Sequence, residues 1–257
     1  MEIRPITAAR AFEQVVDQIA SMIRLGELEV GDRMPSEREL AAAVGISRPS
    51  LREAISLLAD VGVLEVRRGS AGGVFVVSTD VPRDLMRSRV AMKIDEIRGV
   101  LEARRLFEPR VAHLAAVYAR EEDLERMQAT IDAQLVMLEG EMDDEAMDRF
   151  HVQDGHFHMR MAGATHNSTI VAMMQTLLAR LDFAQESVQQ QPENPAWVID
   201  IHQRTLAAIR KANHEEIDLV MEEHIRNLEL AWERTTDNAL VRPLPSFMIP
   251  LDERPGS

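Results

Sequence analysis

The chain contains no cysteine. That absence removes disulfides, thiolate catalysis and zinc-finger sites together, and it fits a reducing cytoplasm. Long apolar runs are also missing. The stretch Ala11–Leu25 is interrupted by Glu13, Asp17 and Arg24, so it reads as amphipathic rather than as a signal peptide. No segment is long and apolar enough to cross a bilayer. Internal repeats and low-complexity tracts do not occur. An excess of positive charge is lacking too: the net charge is −14, which looks wrong for a nucleic-acid binder. The deficit is uneven. Residues 1–80 hold 9 Arg and 12 acidic residues, whereas the remainder holds 20 basic and 31 acidic ones. A local patch decides a contact with phosphate, and an acidic second part would leave the first to face DNA.

The 257 residues are 46% hydrophobic, enough for one large core or two ordinary ones and too apolar for disorder. Phe12, Val15, Val16, Ile19, Met22 and Ile23 recur at helical spacing, and Gly26 follows as a stop. Ser36 with Glu39 three residues on forms a capping box for a short second helix that ends at Gly45. Ser47 caps a third helix, with Pro49 in its first turn, where a missing N–H costs little. Leu51, Ala54, Ile55 and Leu58 form its buried stripe, and Gly62 ends it. The period then changes. Val63–Val66 and Val74–Val77 are short β-branched runs around a glycine-rich turn. The order predicts a mainly α fold: an N-terminal winged helix-turn-helix of three helices plus a β-hairpin wing over residues 1–77, followed by an all-α helical bundle. A small structural α+β subdomain is the bland alternative.

Residues 78–83 read as a linker. Amphipathic helices are expected over Leu85–Tyr118, Glu121–Glu139, Glu145–Ala162, Ser168–Gln190, Pro195–Lys211 and His214–Thr235, within a helical domain over residues 84–236. Gly99 reads as a kink. Residues 237–257 carry Pro243, Pro245, Pro250 and Pro255 and are expected to be irregular.

Two clusters carry chemistry. Ser47, Arg48, Ser50 and Arg52 lie at the exposed start of the third helix, where recognition helices reach base edges. Arginine can pair with guanine, and hydroxyls can hold phosphate. In the second part, Asp154 and His158 lie ~40° apart on one helix face. His202 and His224 fall on two later helices. Such a set can converge inside a bundle as a divalent metal site, with His151 as a competing ligand, or the histidines can be ordinary core and surface residues. His156 points away from the Asp154 face.

The string from Met34-Pro35-Ser36-Glu37-Arg38-Glu39-Leu40-Ala41 through Gly45-Ile46-Ser47-Arg48-Pro49-Ser50-Leu51-Arg52-Glu53-Ala54 resembles the GntR family of regulators, in its FadR-like branch. The resemblance implies that Arg38, Arg48 and Arg52 contact operator DNA and that Gly69, at the wing tip, enters the minor groove. Pro49 stands where relatives often carry Thr or Ser, so one hydroxyl contact is missing, and Gly72-Gly73 lengthen the wing slightly. Glu102-Ala-Arg104-Arg-Leu-Phe-Glu108-Pro109, Asp154-Gly-His-Phe157-His158 with Asn167, His202 with Ala208-Ile209, and Met221-Glu-Glu-His224 resemble the FCD domain, the usual partner of such DNA-binding domains. That resemblance implies a metal (zinc, nickel or manganese) on Asp154, His158, His202 and His224. It implies a small carboxylate effector completing the coordination, with Arg104 facing it and Asn167 nearby. Arg105 points about 100° from Arg104 and reads as a surface residue. The expected protein is a cytoplasmic, homodimeric repressor that contacts each other copy through the helical domain and binds double-stranded DNA, not a membrane protein and not an enzyme. A metal-dependent enzyme using the His/Asp site is the competing function, and a ligand-free scaffold is the third.

Overall fold

The computed structural model describes residues 8–69, 72–82, 85, 93–188 and 194–236. Helix α1 (Ala8–Arg24) buries Val15, Val16, Ile19, Ala20 and Ile23 along one stripe. Ser36 caps α2 (Glu37–Val44) with the expected capping box, and Gly45 ends that helix in the left-handed region at φ 75°. The Ser47 side chain accepts from Ser50 N–H and caps α3 (Arg48–Asp60), which buries Leu51, Ala54, Ile55 and Leu58 against α1. Strands β1 (Leu64–Arg67) and β2 (Gly73–Val76) form an antiparallel hairpin in the register Leu64↔Val76 to Arg67↔Gly73. Residues 31–34 add to its edge: Gly31 and Met34 N–H groups donate to the Val76 and Val74 carbonyls, both at 2.9 Å. These elements share one apolar core, which also takes in Val81, so the stretch read as linker is anchored at that point.

The second part is all helix: α4 (Ile94–Tyr118), α5 (Glu121–Leu138), α6 (Asp144–Gly163), α7 (Ser168–Val188), α8 (Pro195–Arg210) and α9 (His214–Thr236). Helix α4 starts at Ile94 rather than Leu85. Lys93 is extended, and its N–H donates to the Glu96 carboxylate at 2.9 Å, which makes it the boundary. The expected stretch over residues 86–92 lies outside the described residues, as do the tail from 237 onward and the end of α7 beyond Val188. The helix runs on through Gly99 and Pro109 without a break. No described helix is long and apolar enough to cross a membrane.

The end of α1 joins the two parts. Leu25 packs into the core of the helical bundle. Arg24, 3% exposed, forks onto Asp148 of α6 at 2.8 and 2.9 Å and reaches Asp182 of α7 at 3.1 Å. Gly26 takes φ 70°, and a Cβ there would lie 2.9 Å from the His156 ring, so α6 sits directly against this turn. Burial pushes the His156 imidazole down to about 4, so it packs there as a neutral ring. Arg160 pairs with Glu29 on the same side.

Arg24→Ala leaves two carboxylates without their shared cation. Breaking a buried pair costs ~3–5 kcal/mol. Asp148 and Asp182 retain water contact at 16% and 21% exposure, so the expected loss falls near or below the lower end of that range. Chemical denaturation of the full chain checks this, with exposed Arg48→Ala, expected within ~0.5 kcal/mol of wild type, as the control.

Candidate nucleic-acid interface and metal centre

The caps of α2 and α3 set the N-terminal face. Capping fixes the start of α3, so the side chains of its first turn project from a rigid end. Arg48 and Arg52 are 60% and 64% exposed there. Pro49 is exposed beside them, and Arg38 is exposed on α2. The hydroxyls of Ser47 and Ser50 lie 2.9 Å apart, so both are engaged in the cap. Gly69 at the hairpin tip is exposed at φ 107°, a conformation that favours glycine. Glu37 is the residue sequence reasoning missed. Its carboxylate lies 2.9 Å from Arg52 and 3.9 Å from Arg48. The hydrogen bond from Arg52 holds its carboxyl below the usual range. Without DNA, both arginines lean on that one acid.

Inside the bundle, α6, α8 and α9 bring Asp154, His158, His202 and His224 together. One donor atom from each lies within 4.8 Å of every other. The three histidines are at most 2% exposed, and Asp154 sits at the rim with its side chain 23% exposed. The His202 ring stacks on Phe157 with centroids 4.0 Å apart. Its Nδ1 lies 3.0 Å from the Gln134 side-chain oxygen, an acceptor, which places a proton on Nδ1 and leaves Nε2 bare. That bare nitrogen faces Asp154 Oδ1 at 3.3 Å. Two acceptors in that arrangement need a proton or a cation between them. A second proton on His202 would make a buried imidazolium, and burial pushes both His202 and His224 down, away from the charged form. Burial pushes the Asp154 carboxyl up, and it is held down only while a positive charge, a proton on His202 or a cation in its place, faces it. Nε2 of His158, Nδ1 of His224 and Nε2 of His202 are buried without a hydrogen-bond partner, whereas Nδ1 of His158 faces Glu108. Orphaned nitrogens around one carboxylate are what a divalent ion would satisfy, so the donor set fits a metal.

A small cavity abuts this cluster, walled by Arg104, His151, Asp154 and His224 with apolar Phe150, Leu181, Val198 and Leu228. His151 is thus beside the cluster without belonging to its donor set. Arg104, 2% exposed, forks onto fully buried Glu108 one turn later, with Nη2 at 3.1 Å from Oε2. Glu108 Oε2 also lies 3.0 Å from His158 Nδ1. Burial pushes the Glu108 carboxyl up, but Arg104 and His158 outweigh it and hold it well below the usual range. Asn167 is not brought to this cavity: it is exposed and its side-chain oxygen accepts from Thr169 and Ile170 N–H, capping α7. Arg105 departs from the surface expectation. It is 19% exposed and pairs with fully buried Glu229, because α9 covers that side of α4.

Comparisons with known proteins agree with this architecture. The pattern of "Bacterial regulatory proteins, gntR family" matches residues 11–76, and that of the "FCD domain" matches residues 99–227. The Uxu operon regulator of Haemophilus influenzae is 28% identical over 86% of this chain and 81% of its own. The Uxu operon transcriptional regulator of Escherichia coli K12 is 28% identical over 87% of each. The regulator LutR of Bacillus subtilis is 27% identical over 81% of this chain and 94% of its own. Among solved structures, a GntR protein of Streptococcus agalactiae aligns over 84% of this chain and 98% of its own at 24% identity, with a TM-score of 0.43. The chain therefore belongs to the GntR family of bacterial regulatory proteins, in the FadR-like branch that carries an FCD domain, and is a transcription regulator rather than an enzyme.

Proposed function

We propose that the protein is a homodimeric cytoplasmic repressor whose hold on operator DNA is released by a small organic acid bound at a zinc, nickel or manganese site in the helical domain. The charge inventory of the buried site carries this reading. Asp154 and Glu108 supply two negative charges and Arg104 one positive, and the three imidazoles must be neutral to hold a metal. A divalent ion turns the excess of one negative charge into one positive charge. One carboxylate then restores neutrality, which a buried site requires. Arg104 lines the cavity, where its guanidinium can donate to that carboxylate. Nothing comparable places Asn167 near the ligand, so it is left out of the effector site.

The DNA side of the proposal rests on Arg38 of α2, on Ser47, Arg48, Pro49, Ser50 and Arg52 at the start of α3, and on Gly69 at the hairpin tip, all exposed but half-buried Ser50. One recognition helix covers only a few base pairs, so two copies on an inverted repeat are expected. Release is the direction taken because this branch of the family resembles repressors relieved by metabolites. Effector binding changes operator affinity only through a difference in its affinity for two arrangements of the DNA-binding parts, and ~1–3 kcal/mol of such coupling gives a 5- to 150-fold change.

Calorimetry with a panel of organic acids, run alongside metal analysis, tests the sensor. Wild type is expected to hold about one divalent ion per chain and to bind a monocarboxylate, and the His202→Ala/His224→Ala variant to lose both. Stoichiometric metal and an intact acid response in that variant would place the pocket elsewhere. For the DNA face, Arg48→Ala and Arg52→Ala are each expected to lose ~1–3 kcal/mol of specific operator affinity, confined to one base position, with the fold intact. Titrations on matched and altered operators measure this, and wild-type affinity in both variants would remove the recognition-helix assignment. Light scattering is expected to show a dimer; a monomer both free and on DNA would contradict the assembly.

A further inference from the structure

Glu108 is a fully buried carboxylate that belongs to neither the metal donor set nor the cavity wall, yet it touches both. One turn of α4 places it under Arg104, whose Nε and Nη2 it accepts. Across the helix packing its Oε2 lies 3.0 Å from His158 Nδ1. A carboxylate there favours a proton on Nδ1 and so leaves Nε2 bare, the state in which an imidazole binds a metal. Gln134 does the same for His202 with a neutral oxygen. The simpler account of Glu108 is a counter-ion for buried Arg104. It leaves unexplained why Oε2, which already accepts from Arg104 Nη2, also sits 3.0 Å from His158 Nδ1.

We propose that Glu108 is the positioning residue of the site: it fixes His158 for the metal and Arg104 for the effector carboxylate with a single side chain, so that the two holds on the ligand are one unit. This rests on the metal reading above.

The test is zinc affinity, measured by competition with a chromogenic chelator on the full chain. The variants are Glu108→Leu, which removes the acceptor altogether, and the double variant Arg104→Met/Glu108→Leu, with folding checked by circular dichroism. The double variant keeps the net charge of the site, so general electrostatics cannot account for a loss in it. Removing such outer partners typically weakens metal binding 10- to 100-fold, and that loss is expected in both variants. Wild-type affinity in both overturns the proposal. Loss in the single variant with recovery in the double overturns it as well, because Glu108 would then serve only Arg104. Should either variant fail to fold, imidazole 15N NMR of metal-stripped wild type decides: His158 protonated on Nδ1 is expected, and protonation on Nε2 instead refutes the role. Absence of zinc binding in wild type would defeat the metal reading itself, and the NMR result would still judge Glu108.

Discussion

A carboxylate oxygen and a bare imidazole nitrogen face each other 3.3 Å apart at the centre of the helical part. Neither can donate, and the imidazole is fully buried while the carboxylate sits at the rim. The surrounding side chains are arranged around that conflict. Gln134 accepts the one proton His202 carries. Glu108 occupies one side of His158, and Phe157 covers the face of His202. Replacing the four donors with apolar residues would remove the conflict and could leave the bundle as stable, since buried polar sets are seldom kept for stability alone. Their presence in a core this apolar is what the proposed metal would account for.

The opposite end of the molecule solves a different electrostatic problem. A chain of net charge −14 must still approach a polyanion. The acids are concentrated beyond residue 80, and the arginines that face outward on α3 are partly neutralised by Glu37. Exposed pairs of this kind are worth little, ~0–1 kcal/mol, and salt weakens them further. Under the proposed role in DNA binding, so weak a partner as Glu37 would yield Arg52 readily to a stronger acceptor such as a guanine edge.

The legible parts of this molecule were those written locally. Ser36 with Glu39, Ser47 with Pro49, and Gly45 define α2 and α3 without help from the rest of the chain, since caps act within one turn. The start of α4 was illegible because apolar residues continue upstream of Lys93, and Lys93 has no capping side chain; only Glu96 reaching back to its N–H marks the boundary. The strand-like edge at residues 31–34 has no β-branched run and exists only because the hairpin offers it partners. The four metal donors could be picked out because imidazoles and one carboxylate fell on separate amphipathic helices and matched a family pattern. Gln134 could not, because its contact with His202 spans 68 residues and depends on how α5 and α8 pack. The pairing of Arg104 with Glu108 was within reach, as arginine and glutamate four apart on a helix commonly pair. What the spacing cannot say is that α6 would supply His158 to the same carboxylate.

Helix α6 is where the two problems meet. One of its faces carries Asp154 and His158 to the buried donor set. Another carries Asp148 to Arg24 and His156 to Gly26, at the end of the first helix of the DNA-binding part. A second cavity lies between these faces, with Arg24 and Asp182 at one side and Asp154 and His151 at the other. Packed helices shift as rigid bodies, and close-packed contacts such as Gly26 against His156 do not absorb small displacements smoothly. Asp154 and His158 are thus joined to Arg24 by a single helix rather than by a chain of loops. Arg24, clamped by α6 and α7 together, would register rotation of one against the other as a change in its own geometry. Under the proposed function, α6 and this one guanidinium would form the direct route between the buried site and the recognition helix.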